Sequence, residues 1–115
     1  AHDVHVDEKL KRYIVELVAT SRQAGAVIVR SNSGAALLAA ELIDYGASPR
    51  ATLALTFLSR GRALLAGRDF ALPDDVRAVA AHALSHRIGF NYRLATDGIA
   101  AQDVIDALIA AVPAP

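Results

Sequence analysis

Four stretches of the chain space their apolar residues three and four positions apart, the spacing of one face of a helix. In the first, 7–21, Leu10, Tyr13, Ile14, Leu17 and Val18 form a stripe, and Lys9, Lys11, Arg12 and Glu16 lie off it. Asp7 and Glu8 stand at its start, where carboxylates complement the helix dipole. The second helix is predicted over 48–66. Ser48 reads as its N-cap, Pro49 as N1 and Gly67 as the stop just past its end. Phe57, Leu58, Leu64 and Leu65 are expected to face a core, with Arg60 and Arg62 reaching solvent. Gly61 costs about 1 kcal/mol relative to Ala inside a helix, and a close helix crossing there would explain it. The third helix begins at Pro73 and carries Val76, Val79, Ala80, Ala83 and Leu84 on one face, with Asp74 and Asp75 in its first turn as capping carboxylates. The last begins near Ala101 and buries Val104, Ile105, Leu108, Ile109 and Val112 before Pro113 ends it. Ile99 and Val104 are placed for a hydrophobic staple across its start.

Between these helices the pattern is shorter. Residues 26–29 read as a strand, 31–34 as a turn, and 35–44 as a short helix capped by Ser33. Leu38, Leu42 and Tyr45 would share one side of that helix, and a partly extended form is the alternative. Ile88, Phe90 and Tyr92 alternate with Gly89, Asn91 and Arg93, the period of a short strand. The expected fold is therefore mainly α: a small helical bundle with one or two short β-strands. At 115 residues it forms a single domain, 1–115, with one modest core.

Composition narrows the function. Hydrophobic residues make up 54% and aromatics 5%, and the Ala, Leu and Val surplus suits helices. Twelve basic residues balance twelve acidic ones, which argues against nucleic acid or an anionic membrane as the main partner. The chain has no Cys, so it has neither disulfides nor a thiolate metal site, in keeping with a cytoplasmic protein. No apolar run reaches the roughly 18–20 residues of a membrane span. The charges at 7–12 interrupt any leader-like segment. The chain starts with Ala1-His2 and contains no Met, which fits a piece cut from a longer protein and equally a chain whose initiator Met has been removed.

The candidate chemistry centres on Gly46-Ala47-Ser48-Pro49-Arg50-Ala51. Arg50 is a planar guanidinium beside a helix N-terminus, and both the guanidinium and the free N–H groups there suit phosphate oxygens. A plain helix start with a surface arginine is the other reading of the same residues. No phosphate-cradling loop accompanies it. His82 and His86, four apart on the third helix, have zinc-site spacing, but no Glu follows the first and no third ligand is evident, so no metal is expected. Ser85 beside His86 is adjacency, not triad geometry. Arg60, Arg62 and Arg68 gather around the end of the second helix, where cations are favoured by the dipole alone. His2 and His5 fall in what reads as a mobile terminus.

These blocks, taken together, resemble a known family. The amphipathic segment from Val6 to Val15 leads to G-A-S-P-R-A at 46–51. G-R-D-F at 67–70, L-P-D-D-V at 72–76, His86-Arg87-Ile88 and Asp103-Val104-Ile105 follow in order. The chain is similar, from about His5 to Pro113, to the C-terminal lid of MoxR-type AAA+ ATPases. It departs from the pattern between Gln23 and Tyr45, which is longer and more apolar. The resemblance implies a helical lid following an αβ nucleotide-binding domain that lies upstream and outside this chain. Arg50 matches the sensor 2 arginine, which reaches the γ-phosphate of ATP, and Ser48, Pro49 and Arg50 together fall at the nucleotide. ATP and Mg2+ are the cofactors implied for the full-length parent and none for the fragment, which should not hydrolyse ATP alone. The implied partners are that αβ domain, neighbouring subunits of a hexameric ring and a client protein remodelled in chaperone-like maturation.

Two other readings compete. A free-standing helical interaction module would use 35–43 as its partner face. A DNA-binding helical pair would use 48–66 and 73–84, against the neutral charge. A lid separated from its partners should expose an apolar patch and self-associate weakly.

Overall fold

The computed structural model describes residues 4–23, 27–30, 36–90 and 99–115. Helix α1 (Glu8–Arg22) starts where Asp7 accepts the Lys9 N–H at 3.1 Å, and it buries the predicted stripe of Leu10, Tyr13, Ile14, Leu17 and Val18. The short strands β1 (Ile28–Arg30) and β2 (Ala36–Leu38) follow, then a 3-10 turn (Ala39–Glu41) and β3 (Ile43–Tyr45). Helix α2 (Arg50–Leu65), helix α3 (Pro73–Ser85), strand β4 (Gly89–Phe90) and helix α4 (Ala101–Ala111) complete the order. The fold is the mainly helical one expected.

The helix expected over 35–44 is not formed. β2 pairs antiparallel with β1, Ile28 opposite Leu38, and β3 pairs antiparallel with β4, Ile43 opposite Phe90. An Ala/Leu run favours helix by its own propensity, and here two strand partners outside the run, one of them 47 positions away, override it. Leu42 and Ala39 are fully buried between the two pairs. The helical partner face proposed for 35–43 is therefore absent. The turn at 31–34 and the residues 91–98, which include Tyr92, lie outside the described residues.

The helices pack α2 on α3 most extensively, with α4 against α3 and α1 against both α2 and α4. On α2 the buried side is Ala51, Leu55, Ser59 and Ala63, spaced by fours. Phe57, Leu64 and Leu65, expected in the core, are exposed at 75%, 45% and 92%, and only Leu58 of that set packs against it. A helix apolar nearly all round can turn several faces inward. The face that wins carries small residues, which let α2 and α3 approach closely. Gly61 does not mark this crossing: a Cβ there would meet nothing within 4 Å.

Helices α3 and α4 open alike. Asp75 accepts the Leu72 N–H at 2.7 Å, and Asp103 accepts the Ala100 N–H at 3.2 Å. Each is the acidic half of a capping box. Ile99 and Val104 are both buried where the staple places them. No helix among the described residues is long and apolar enough to cross a membrane.

Candidate functional site

The loop before α2 is fixed to the end of α1 through backbone and one hydroxyl. Ser21 is buried in the last turn of α1, and its Oγ donates to the Val18 carbonyl at 2.6 Å. The same Oγ accepts the Ala47 N–H at 3.0 Å. Gly46 lies against this turn so closely that a Cβ would sit 2.4 Å from the Ser21 carbonyl oxygen. Only glycine fits, for reasons of space. Ala47 and Ala51 are fully buried on either side of the exposed pair Ser48 and Pro49.

Pro49, with φ −55° and ψ −22°, is already helical. The first bonds of α2 run Ala51 N–H to Ser48 carbonyl at 2.9 Å and Thr52 N–H to Pro49 carbonyl at 3.1 Å. Ser48 therefore starts the helix with its carbonyl, and its hydroxyl has no hydrogen-bond partner among the described residues, contrary to the expected side-chain cap. The Ala51 N–H that the hydroxyl would have taken is already bound. Arg50 follows in the first turn, exposed, and its side chain makes no hydrogen bond or ion pair among the described residues.

The far end of α2 is built differently. Gly67 takes φ +78°, the left-handed conformation glycine adopts freely. The Arg68 N–H bonds the Ala63 carbonyl at 2.9 Å and the Gly67 N–H bonds the Leu64 carbonyl at 3.0 Å, a Schellman close. That turn aims Arg68 at Asp75, whose side chain is 1% exposed. The guanidinium grips both carboxylate oxygens at 2.7 Å, and Arg62 Nε stands 3.4 Å from one of them. The Arg68 hydrogen bonds, helped by the Leu72 N–H, hold the Asp75 carboxyl below its usual range against the opposing effect of burial. The expectation that Asp75 caps its helix holds. The sequence pattern does not announce the ion pair with Arg68 and Arg62, although G-R-D-F before P-D-D-V contains Arg68 and Asp75.

The other candidates do not assemble. His82 and His86 are exposed, their rings edge to face with centroids 4.9 Å apart. No three His, Cys, Asp or Glu among the described residues are grouped to hold a metal. His5 is not mobile: its N–H bonds the Asp69 carbonyl at 2.8 Å and its carbonyl accepts the Ala71 N–H at 2.9 Å. His2 lies outside the described residues. Of Arg60, Arg62 and Arg68, only the last two meet, at Asp75, and Arg60 lines a groove with Thr56 and Val4.

Residues 35–108 of this helical bundle match the AAA lid domain family. The chain belongs to that family and is homologous to the MoxR-family ATPases. It is 35% identical to Protein MoxR of Paracoccus denitrificans over 96% of its own length and 32% of that protein's. It is 37% identical to Chaperone MoxR1 of Mycobacterium tuberculosis over 64% of its own length and 19% of that protein's. It also superposes on a crystal structure of a candidate ATPase from Cytophaga hutchinsonii with a TM-score of 0.80 at 32% identity, covering 98% of this chain and 32% of that one. The chain thus spans about a third of the length of most of these relatives.

Proposed function

We propose that this lid supplies the sensor 2 arginine, Arg50, to ATP hydrolysis in a parent AAA+ ATPase. The observation that supports this reading most is the exposed guanidinium at the start of α2, without a partner among the described residues, on a loop that Gly46 and Ser21 hold against α1. Rigid placement is what a group needs to meet charge that develops in a transition state. An arginine held this way offers a phosphate two parallel donors, where lysine would offer a point charge. The chain has no phosphate-cradling loop, so ATP and Mg2+ would be bound by the αβ domain of the parent, with Ser48 and Pro49 at the edge of that site. ATP there supplies the phosphoanhydride that is cleaved, and Arg50 contributes positive charge and orientation.

On this reading the parent acts with neighbouring subunits of a hexameric ring, in the cytoplasm, remodelling a client protein in the chaperone-like manner that the name of the mycobacterial relative carries. The fragment alone does not hydrolyse ATP. The test is ATP turnover of the parent, wild type against Arg50→Ala, with nucleotide affinity measured alongside. A large loss of turnover with modest change in affinity is expected. Unchanged turnover would return Ser48-Pro49-Arg50 to a plain helix start.

A further inference from the structure

The imidazoles of His82 and His86 are left over from the fold. Both residues are exposed, and neither ring makes a hydrogen bond or ion pair among the described residues. His82 lies in the last turn of α3 and His86 is its C-cap, so the two side chains stand one above the other on the same side of the helix. Their ring centroids are 4.9 Å apart and the ring planes 75° apart. A metal bound about 2.0–2.1 Å from an imidazole nitrogen lies about 3.2 Å from that ring's centroid. Two rings meeting one ion at about 90° (square-planar) to about 109° (tetrahedral) then have centroids about 4.5–5.2 Å apart. The observed separation falls within that span. The χ2 angle of histidine is broad, and the centroid lies close to its axis, so each ring can turn a nitrogen toward the ion with its centroid nearly in place.

We propose that His82 and His86 form a two-ligand site for a divalent transition-metal ion, with Cu2+ held most tightly. Neutral imidazole suits copper, nickel and zinc, and copper leads that order. Magnesium keeps to oxygen donors, so this ion is distinct from the one that accompanies ATP. No third His, Cys, Asp or Glu among the described residues joins the pair, and this sets the character of the site. Water fills the remaining positions, the ion exchanges freely, and a further donor can reach it. The cation stands at the C-terminal turn of α3, where the helix dipole favours positive charge. Arg87 is the opposing charge beside it, and its guanidinium is bonded to the Ala83 carbonyl at 3.0 Å. Binding both rings ties the C-cap to the last turn of the helix, so the ion stabilises the folded chain by mass action.

Titration of the nucleotide-free, full-length parent with Cu2+ tests this, read by electron paramagnetic resonance and thermal unfolding. Wild type would be compared with His82→Ala, with His86→Ala and with His86→Ala combined with Ala78→His. All three positions are exposed, so these are surface changes that leave the fold intact. Each single variant should bind Cu2+ at least about tenfold more weakly, because the second ligand acts at high effective concentration. The spectrum should show two equatorial imidazole nitrogens in wild type and one in either single variant. Position 78 stands four residues before His82, so the combined variant rebuilds the pair one turn earlier and should regain both the affinity and the two-nitrogen spectrum. Cu2+ should raise the unfolding temperature of wild type and of the relocated pair more than that of the single variants. Copper sites elsewhere in the parent are common to all four proteins and cancel in the comparison. Equal affinity and equal spectra for wild type and His82→Ala would mean an adventitious ion only, and overturn the proposal. Loss in the single variants with no recovery in the relocated pair would overturn the two-ligand form of the site, since a further donor beside His86 would then be required.

Discussion

The two ends of α2 both present arginine and use it in opposite ways. At the C-terminal end Arg68 and Arg62 converge on a buried carboxylate, and every charge is answered inside the domain. At the N-terminal end Arg50 has no partner among the described residues, while the loop before it is tied to α1 through Ala47 and Ser21. The contrast separates two tasks. An arginine that holds a fold together is consumed by its contacts, and one that meets a ligand must be positioned by its neighbours' backbone, leaving its own donors free.

The sharpest way to break the comparison is to remove each arginine and ask what fails. Arg50→Ala should lower ATP turnover of the parent by up to about 10³-fold, the lower end of the range for an arginine that supplies transition-state charge. Its denaturation midpoint should shift by less than about 0.5 kcal/mol, as for a surface residue. Arg68→Ala should do the reverse. It leaves Asp75 buried with only Arg62 nearby, and urea unfolding should show a loss of about 3 kcal/mol.

Asp75 adds a pH signature to that end. Its folded carboxyl is held below the ordinary value by Arg68. The stability it contributes is therefore present above about pH 4, where the unfolded group ionises, and is lost as pH falls through the depressed folded value. Asp75→Asn should remove this component of acid unfolding. A variant with the wild-type acid profile would show that the pair contributes nothing at that end.

Gly46→Ala sharpens the comparison from the side of position. The added methyl meets the Ser21 carbonyl, and overpacking of this kind costs about 1–3 kcal/mol. Because the displaced loop carries Arg50, turnover should fall as well, with Arg50 itself intact. The smallest effect is expected at Ser59. Its hydroxyl is fully buried on the inward side of α2 and has no hydrogen-bond partner among the described residues. Ser59→Ala should be neutral or stabilise by up to about 1 kcal/mol, and a clear destabilisation would mean that the hydroxyl is bonded after all.

How much of this could be read from the sequence follows the nature of each interaction. Helices α1, α3 and α4 declare themselves because their stripes, acidic starts and stops are local, and Asp7, Asp75 and Asp103 fall where capping needs them. The strands at 36–38 and 43–45 do not, because pairing to Ile28 and Phe90 is decided elsewhere in the chain. The buried face of α2 does not follow from the local pattern, because the larger Phe57 and Leu65 turn outward and the smaller Ala51 and Ser59 turn in. Arg50 was legible as a motif. Its lack of a partner was not, since that depends on where every other carboxylate ends up. Gly46 and Ser21 are 25 positions apart, and nothing in either local pattern announces that they touch.

The backbone bridge at His5 has a mechanical consequence. The segment before α1 runs parallel to 69–71, bonded on both sides of His5 and anchored by the buried Val4 and Val6. A pull on that segment does not peel α1 away one turn at a time. It loads two hydrogen bonds in shear and passes the tension to the corner where α2 meets α3, next to the clasp of Arg68 on Asp75. The segment before α1 is thus tied to one end of α2, and Arg50 stands at the other.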